Sequence, residues 1–188
     1  MSKGEGRLIV ISGPSGTGKG TVIAMMLEKR PGMEMSVSAT TRKPRAGEID
    51  GVSYHFISVD KFNDMIGRGE FLEYAEYAGD FYGTPKKAVF DRVDNGIDVL
   101  LEIEVKGARQ VTSAAPGAIS IFLTPPDLDE LERRLRGRGT DSEDKLKARL
   151  EIAKAEIAQK GEYKHVVVND KVERAAEEIL EIIDGTII

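Results

Sequence analysis

The stretch that most limits what this chain can fold into is residues 7–27. There a run of branched apolar residues, Leu8 to Ile11, passes directly into Gly13-Pro-Ser-Gly-Thr-Gly-Lys19 and then into Val22-Ile-Ala-Met-Met-Leu27. A short continuous apolar run reads as a strand buried on both faces, as in a parallel sheet. The second apolar segment has the composition of a buried helix. Strand, glycine-rich loop, lysine and helix in that order form the context a phosphate-binding loop requires. Gly13, Gly16 and Gly18 let successive backbone N–H groups turn inward around an anion, with Pro14, Ser15 and Thr17 completing the loop. The helix start near Lys19 adds partial positive charge, and Lys19 supplies a compact cation for the outer phosphates. The motif asks for Ser or Thr directly after the lysine, but Gly20 stands there and Thr21 follows one place later. Mg2+ is therefore expected to be held through water and nucleotide phosphates, and no metal-ligating side chain is assigned.

Bulk properties restrict the remaining possibilities. With 188 residues the chain suits one domain carrying small inserted modules. Zero cysteines leave no disulfide framework or thiolate metal site. No apolar run approaches the roughly 20 residues of a membrane span, and the first residues lack signal-peptide character; a cytoplasmic protein is predicted. A net charge of −5 argues against non-specific nucleic-acid binding. Anionic substrates must then be met by local positive clusters. The two histidines, His55 and His165, receive no role.

Past Arg30-Pro-Gly32, a second strand is predicted from Met33 to Ala39, then a cationic surface loop broken by Pro44 and Gly47. Gly51–Phe56 alternates like a short strand. Asp60 to Ile66 reads as a short helix, and two strands flank a turn at Ala78-Gly79. Pro85 opens a helix to about Asp94. Residues 38–84 thus form a small β-rich insertion. The core resumes with a strand over Asp98–Glu104, a helix from Lys106 and a strand at Ala118–Leu123. A helix follows Asp127 with Leu128, Leu131 and Leu135 on one stripe. Thr140-Asp-Ser-Glu143 has capping-box spacing ahead of a long helix bearing Leu146, Leu150, Ala153 and Ile157 on one face. His165–Val168 reads as a buried last strand, and Asp170 as the cap of a final helix. Alternating elements with short connections predict a parallel, doubly wound α/β sheet. The core is assigned to residues 1–37, 85–126 and 158–188, and a helical lid to residues 127–157.

Four constellations could do chemistry. Arg42 and Arg45, held partly extended by Pro44, offer two planar forks for one phosphate, though the same spacing suits a solvated cationic loop. The hydroxyls of Tyr54 and Tyr82 could donate to that phosphate, or the rings could be core. The carboxylates of Glu73 and Glu104 could accept from the N1–H and 2-amino group of guanine, an edge that adenine lacks. Glu104 also leaves its strand at the carboxyl end, where ligands sit in open α/β sheets. Finally, Arg133-Arg-Leu-Arg-Gly-Arg138, followed by Arg149, could close over transferring phosphates and exclude water.

The segments that carry a family resemblance include residues 11–19, 36–48 and 51–56, then Glu70-Phe-Leu-Glu-Tyr-Ala75, Phe81-Tyr-Gly-Thr84 and Leu101-Glu-Ile-Glu-Val-Lys-Gly107. Arg134-Leu-Arg-Gly-Arg-Gly-Thr140 and Val168-Asn-Asp170 complete the set. Together they closely resemble a bacterial-type guanylate kinase. The resemblance implies a P-loop NTPase three-layer fold with a GMP-binding insertion and a lid, and phosphorylation of GMP by ATP with Mg2+. It makes Arg42, Arg45, Tyr54 and Tyr82 the clamp on the GMP phosphate, with Ser38, Glu73, Thr84 and Glu104 reading the guanine. Residues 13–21 would hold the ATP phosphates, Arg134, Arg138 and Arg149 would close from the lid, and Asn169 would lie near the adenine. Lys19, Arg42 and the three lid arginines carry the catalytic role. Family members often have Asp where Glu104 stands. A partner-binding scaffold module of the same family, or a P-loop kinase for another phosphorylated acceptor, is the alternative reading. GMP and ATP are the implied partners, with no nucleic acid and no membrane; the sequence leaves the oligomeric state open.

Overall fold

The computed structural model describes residues 6–77, 79–137 and 142–186. Strand β1 (Leu8–Ser12) is buried throughout, and α1 (Lys19–Lys29) follows the loop. The predicted strand from Met33 to Ala39 is instead two short pieces, β2 (Glu34–Met35) and β3 (Ala39–Thr40), in two different sheets. The chain changes sheet across Ser36–Val37–Ser38, two small polar residues around one valine. Next come β4 (His55–Phe56), α2 (Val59–Gly67), β5 (Phe71–Tyr77), β6 (Asp80–Pro85) and α3 (Lys86–Asp94). Then follow β7 (Val99–Glu102), α4 (Val105–Ala114), β8 (Ile119–Thr124), α5 (Leu128–Arg136), α6 (Glu143–Ile157), β9 (His165–Val168) and α7 (Val172–Asp184).

Five strands form a parallel sheet in the order β2-β7-β1-β8-β9, and four form a mixed sheet in the order β4-β3-β6-β5. The alternating α/β chain thus produces the expected class of fold. By compactness it divides into one unit of residues 1–8, 33–101 and 106–118 and another of residues 9–32, 102–105 and 119–188.

In the first unit α2 is capped by the Ser58 hydroxyl, which accepts from the backbone N of Lys61. It turns Phe62, fully buried, onto Phe71 and Phe81 with ring centroids 4.5 and 5.4 Å apart. That stack covers one face of the mixed sheet. Strand alternation sends Tyr82 and Thr84 to the other face.

In the second unit α1 packs on α7, whose buried stripe is Ala175, Ala176, Ile179, Ile182 and Ile183. Helix α5 is capped by Asp127, which accepts from Glu130 N at 2.7 Å, and it packs on α6 through Leu131, Leu135, Leu146 and Ala153. Leu128, expected on that stripe, is exposed because it occupies the first turn.

Three local expectations change. The cap of α6 is Ser142, whose hydroxyl accepts from Lys145 N, while Thr140 lies outside the described residues. Asp170 does not cap α7; its carboxylate accepts from Arg174 Nε at 2.7 Å, and Lys171 occupies the cap position without a side-chain bond. Strand β9 is an edge strand, so Val166 and Val168 remain exposed and only Val167 is buried. Among the described residues no helix is long and apolar enough to cross a membrane.

Candidate active site

The phosphate loop is built on the carboxyl end of β1. Ser12 Oγ donates to the carbonyl of Ile103 at 2.8 Å, fixing where the chain leaves the sheet. Gly13 has φ 151°, and a Cβ there would lie 2.1 Å from the Leu123 carbonyl oxygen. Gly18 has φ 85°, and a Cβ there would lie 2.7 Å from Asn169 Nδ2. Both positions exclude any side chain, through backbone conformation and through contact. Thr17 is buried, and its hydroxyl donates to Pro14 O at 2.9 Å. Gly18 then starts α1, placing Lys19 in the first turn, where Nζ donates to Gly13 O at 2.6 Å and Pro14 O at 3.1 Å. The lysine therefore lies folded along the loop it would serve. Gly20 and Thr21 are exposed on that first turn, and a Cβ on Gly20 would meet nothing within 4 Å.

Two residues assigned to nucleotide contact support the loop from behind. Asn169 is buried; its Nδ2 donates to Thr17 O at 2.7 Å. Arg134 donates to the same carbonyl at 3.3 Å and to Asn169 O at 2.8 Å. Glu130 holds Arg134 by accepting from its Nε at 2.6 Å, and also accepts from Arg133. These guanidiniums, Arg133 first, pull the Glu130 carboxyl down to about 2. Asn169 Oδ1 is buried without a hydrogen-bond partner and remains an open acceptor. From α6, Arg149 Nη2 donates to Ser15 Oγ at 2.7 Å. Glu156 lies half-buried on the same helix, and its carboxyl is pushed up, chiefly by burial, against the pull of Lys19 and with added repulsion from Glu104. Arg138 lies outside the described residues.

The other unit carries Arg42, Arg45, Tyr54, Tyr82, Glu73, Thr84 and Ser38. Arg42 is clamped by Glu48, donating Nη1 to Oε2 at 2.6 Å and Nη2 to Oε1 at 2.7 Å. Its guanidinium carbon sits 4.9 Å from the Tyr54 ring centroid and 5.6 Å from that of Phe56. Tyr82 meets Tyr54 edge-on at 6.1 Å, and its hydroxyl is among the groups that favour the Arg42 charge. Glu48 also accepts from the backbone N of Arg45 at 2.7 Å, leaving the Arg45 side chain exposed. The Arg42 bond, above all, draws the Glu48 carboxyl down to about 2 and raises the arginine. Arg42, Tyr54 and Tyr82 thus form one cationic, aromatic patch.

Glu73 is 7% exposed and is paired across the strands with Thr84, whose Oγ1 donates to Glu73 Oε1 at 2.6 Å. A Cβ on Gly107, in the first turn of α4, would lie 2.7 Å from Glu73 Oε2. Ser38 is half-buried next to β3, and its carbonyl accepts from His55 N at 2.8 Å. Glu104 is exposed and belongs to the unit of the phosphate loop.

Sequence reasoning gave no role to Glu48, Gly107, Glu130 or Glu156. Glu48 was detectable as a carboxylate three places after Arg45, and Gly107 as a glycine in a helix with no turn to require it. The other two left no signal beyond helical charge.

The glycine loop between β1 and α1 defines a P-loop protein, and the mixed-sheet unit carries a cationic, carboxylate-bearing module. Comparison narrows the class. A family model described as guanylate kinase matches residues 5–186. A guanylate kinase from Lactococcus lactis subsp. lactis is 56% identical over 181 residues, covering 96% of this chain and 88% of that protein. One from Streptococcus thermophilus is 54% identical over 182 residues, covering 96% and 87%. The crystal structure of guanylate kinase from Anaplasma phagocytophilum superposes with a TM-score of 0.76 at 35% identity, covering 99% of this chain and 88% of that one. The chain belongs to the guanylate kinase family.

Proposed function

We propose that the protein transfers the γ-phosphoryl group of ATP to GMP, giving ADP and GDP, by direct in-line displacement. The observation that carries this reading is Glu73. A carboxylate this buried is costly unless it is answered by donors. Thr84 supplies one donor at 2.6 Å, and the N1–H and 2-amino group of guanine would supply two more. Adenine, with an acceptor at N1, would face repulsion instead.

The acceptor is already a phosphate oxygen, so no strong general base is needed. That oxygen attacks the γ-phosphorus, the bond from phosphorus to the β,γ-bridging oxygen breaks, and ADP leaves with the electron pair. The protein positions the groups and offsets charge. Arg42, Arg45, Tyr54 and Tyr82 hold the acceptor phosphate, and Ser38, Glu73, Thr84 and Glu104 read the base. The loop of Gly13 to Thr21 and Lys19 hold the donor phosphates, with Arg134, Arg138 and Arg149 neutralising charge around them. Asn169 Oδ1, buried and open, suits the adenine amino group. Since these side chains address base and phosphate, dGMP is expected to serve as acceptor too.

Mg2+ fits the donors present. Among the described residues no cluster of three or more His, Cys, Asp or Glu could hold a metal. The Thr21 hydroxyl is an oxygen donor on the first turn of α1 that would hold its waters, as suits a cation that gives up water reluctantly. When bound, Mg2+ would offset the negative charge of the nucleotide phosphates. The protein is read as a cytoplasmic enzyme with residues 38–84 as acceptor module and residues 127–157 as lid.

The test is ADP production with ATP, Mg2+ and each of GMP, dGMP, AMP, CMP and UMP. Strong selectivity for the guanine acceptors is expected. Equal activity on AMP would sink the base-reading role of Glu73, and no activity with any acceptor would sink the kinase reading.

A further inference from the structure

A glutamine with no place in the site described so far takes hold of the strand that carries Glu73. Strand β5 is an edge of the mixed sheet, and its pairing with β6 is irregular between Phe71 and Glu73. An irregularity of this kind re-aims the side chain beside it and weakens the ladder locally. One residue beyond Glu73, the side-chain amide of Gln110 takes both backbone groups of Tyr74. Tyr74 N donates to Gln110 Oε1 at 3.2 Å, and Gln110 Nε2 donates to Tyr74 O at 3.0 Å. The amide thus stands where a further strand would pair. Gln110 follows Gly107 by three places on α4, so both fall on one helix face. Gly107 is the residue whose added Cβ would meet Glu73 Oε2 at 2.7 Å. From the neighbouring strand, Thr84 donates to Glu73 Oε1.

We propose that Gln110 is a positioning residue for base reading. By tying β5 to α4 it sets the depth and direction of the Glu73 carboxylate, and with them the preference for a purine that carries a 2-amino group. Tyr74 is 41% exposed and its contact with Gln110 lies at the surface. Water could satisfy the same two backbone groups there, so the net gain in stability is small. What the amide adds, and water cannot, is a fixed distance between strand and helix. Without it the strand beside Glu73 is left to its irregular pairing with β6. The carboxylate then shifts relative to Gly107 and no longer meets N1–H and the 2-amino group of guanine together. Hypoxanthine has N1–H but no 2-amino group and loses less, so selectivity between the two bases reads the position of the carboxylate.

The inference rests on the reading of Glu73 as the base reader, and the experiment separates the two. Steady-state kinetics with GMP and with IMP are measured for wild type, Gln110→Met, Glu73→Gln and the double variant, with KM for ATP and the thermal midpoint alongside. Gln110→Met keeps the side chain's length and removes both hydrogen bonds. It is expected to raise KM for GMP about fivefold to tenfold and to lower the GMP-over-IMP preference in kcat/KM about threefold or more, with KM for ATP changed less than about twofold. Added to Glu73→Gln, which already removes the carboxylate, it should change that preference less than about twofold. If Gln110→Met does not fold, Gln110→Glu, which keeps the acceptor and loses the donor, carries the same comparison. A folded variant with wild-type KM for GMP and wild-type preference overturns the proposal and leaves Glu73 standing, as does an undiminished further loss in the Glu73→Gln background. A Glu73→Gln enzyme that keeps the wild-type preference for GMP overturns both.

Discussion

The acceptor module and the donor loop use charge in opposite ways. In the module the charged groups are answered before any ligand arrives. Arg42 and Glu48 form a two-pronged pair with side chains only 10% and 20% exposed, and Glu73 is buried against Thr84. On α5 the flanking arginines stand further into solvent: Arg133 is 74% exposed and Arg136 48%, each paired to a carboxylate on a helical surface, while Arg134 between them is 23% exposed and held by Glu130. Surface pairs of this kind contribute little stability and are exchanged easily. The contrast suits the two tasks proposed for these regions. Reading a base requires donors and acceptors fixed in a dry site, where a mismatch leaves a buried group unpaired. Neutralising a transferring phosphoryl group requires cations that can leave one partner for another.

The largest effect expected on either side comes from the donor loop. Lys19→Ala should lower turnover roughly a thousandfold or more, because one preorganised cation at the transferring phosphates is lost. Among the contacts Lys19 makes are those to the loop carbonyls of Gly13 and Pro14, and a thermal midpoint measured alongside turnover separates lost chemistry from lost fold. Near-normal turnover in that variant would break the comparison at its donor end.

Next comes a change that replaces no charged residue. Gly107→Ala places a methyl where only 2.7 Å separates it from Glu73 Oε2. The carboxylate has to shift, and a misplacement on the order of 1 Å in a reading group costs up to about a hundredfold. We expect KM for GMP to rise about tenfold or more with ATP affinity unchanged. Alanine is otherwise favoured over glycine in a helix, so a raised KM at unchanged stability would isolate the positional effect. Unchanged KM would mean that Glu73 need not be fixed to read its ligand.

A smaller effect is expected at the phosphate clamp. Glu48→Gln removes the charge that orients Arg42 while keeping one hydrogen bond, and KM for GMP should rise by about threefold to tenfold. The wild-type pair also has a pH signature. Its carboxyl lies at about 2 against an ordinary 4.5, so its stabilising contribution is complete above 4.5 and is lost as pH falls through about 2. Acid titration followed by Tyr fluorescence should therefore show the Arg42, Tyr54 and Tyr82 patch persisting below pH 4.5 in wild type. Glu48→Gln should show no such transition.

How far the sequence revealed all this depended on the range of the forces involved. The phosphate loop was readable because its glycines answer a local backbone demand, φ 151° at Gly13 and 85° at Gly18, that appears directly as residue type. Helices with one-sided stripes, such as α7, were equally plain. Strand His165–Val168 was mistaken for a buried one because an apolar run does not say whether another strand lies beyond it; sheet order does. The Glu48 clamp, the Gly107 approach and the support of Thr17 by Asn169 and Arg134 depend on chain segments meeting in space. Arg134 reaches Thr17 across 117 positions, and no periodicity records such a meeting. Capping was misplaced for a related reason: Thr140, Ser142 and Asp170 all have suitable side chains, and only backbone geometry selects among candidates.

The smallest predicted effect concerns the loop's departure from its own motif. Gly20 sits in the first turn of α1, exposed, with open space where a Cβ would go. Gly20→Ser should therefore be accommodated without strain. Replacing glycine in a helix by serine contributes roughly 0.5 kcal/mol, which for a chain of this length corresponds to a rise of about 1–2 °C in Tm. The added hydroxyl stands where the motif places one for Mg2+. It would displace a water from an ion that already has phosphates and other waters, so the net gain is modest. Half-saturating Mg2+ should fall by no more than about threefold, with kcat nearly unchanged. A much larger fall would mean that direct coordination matters more at this loop than holding the ion through its waters.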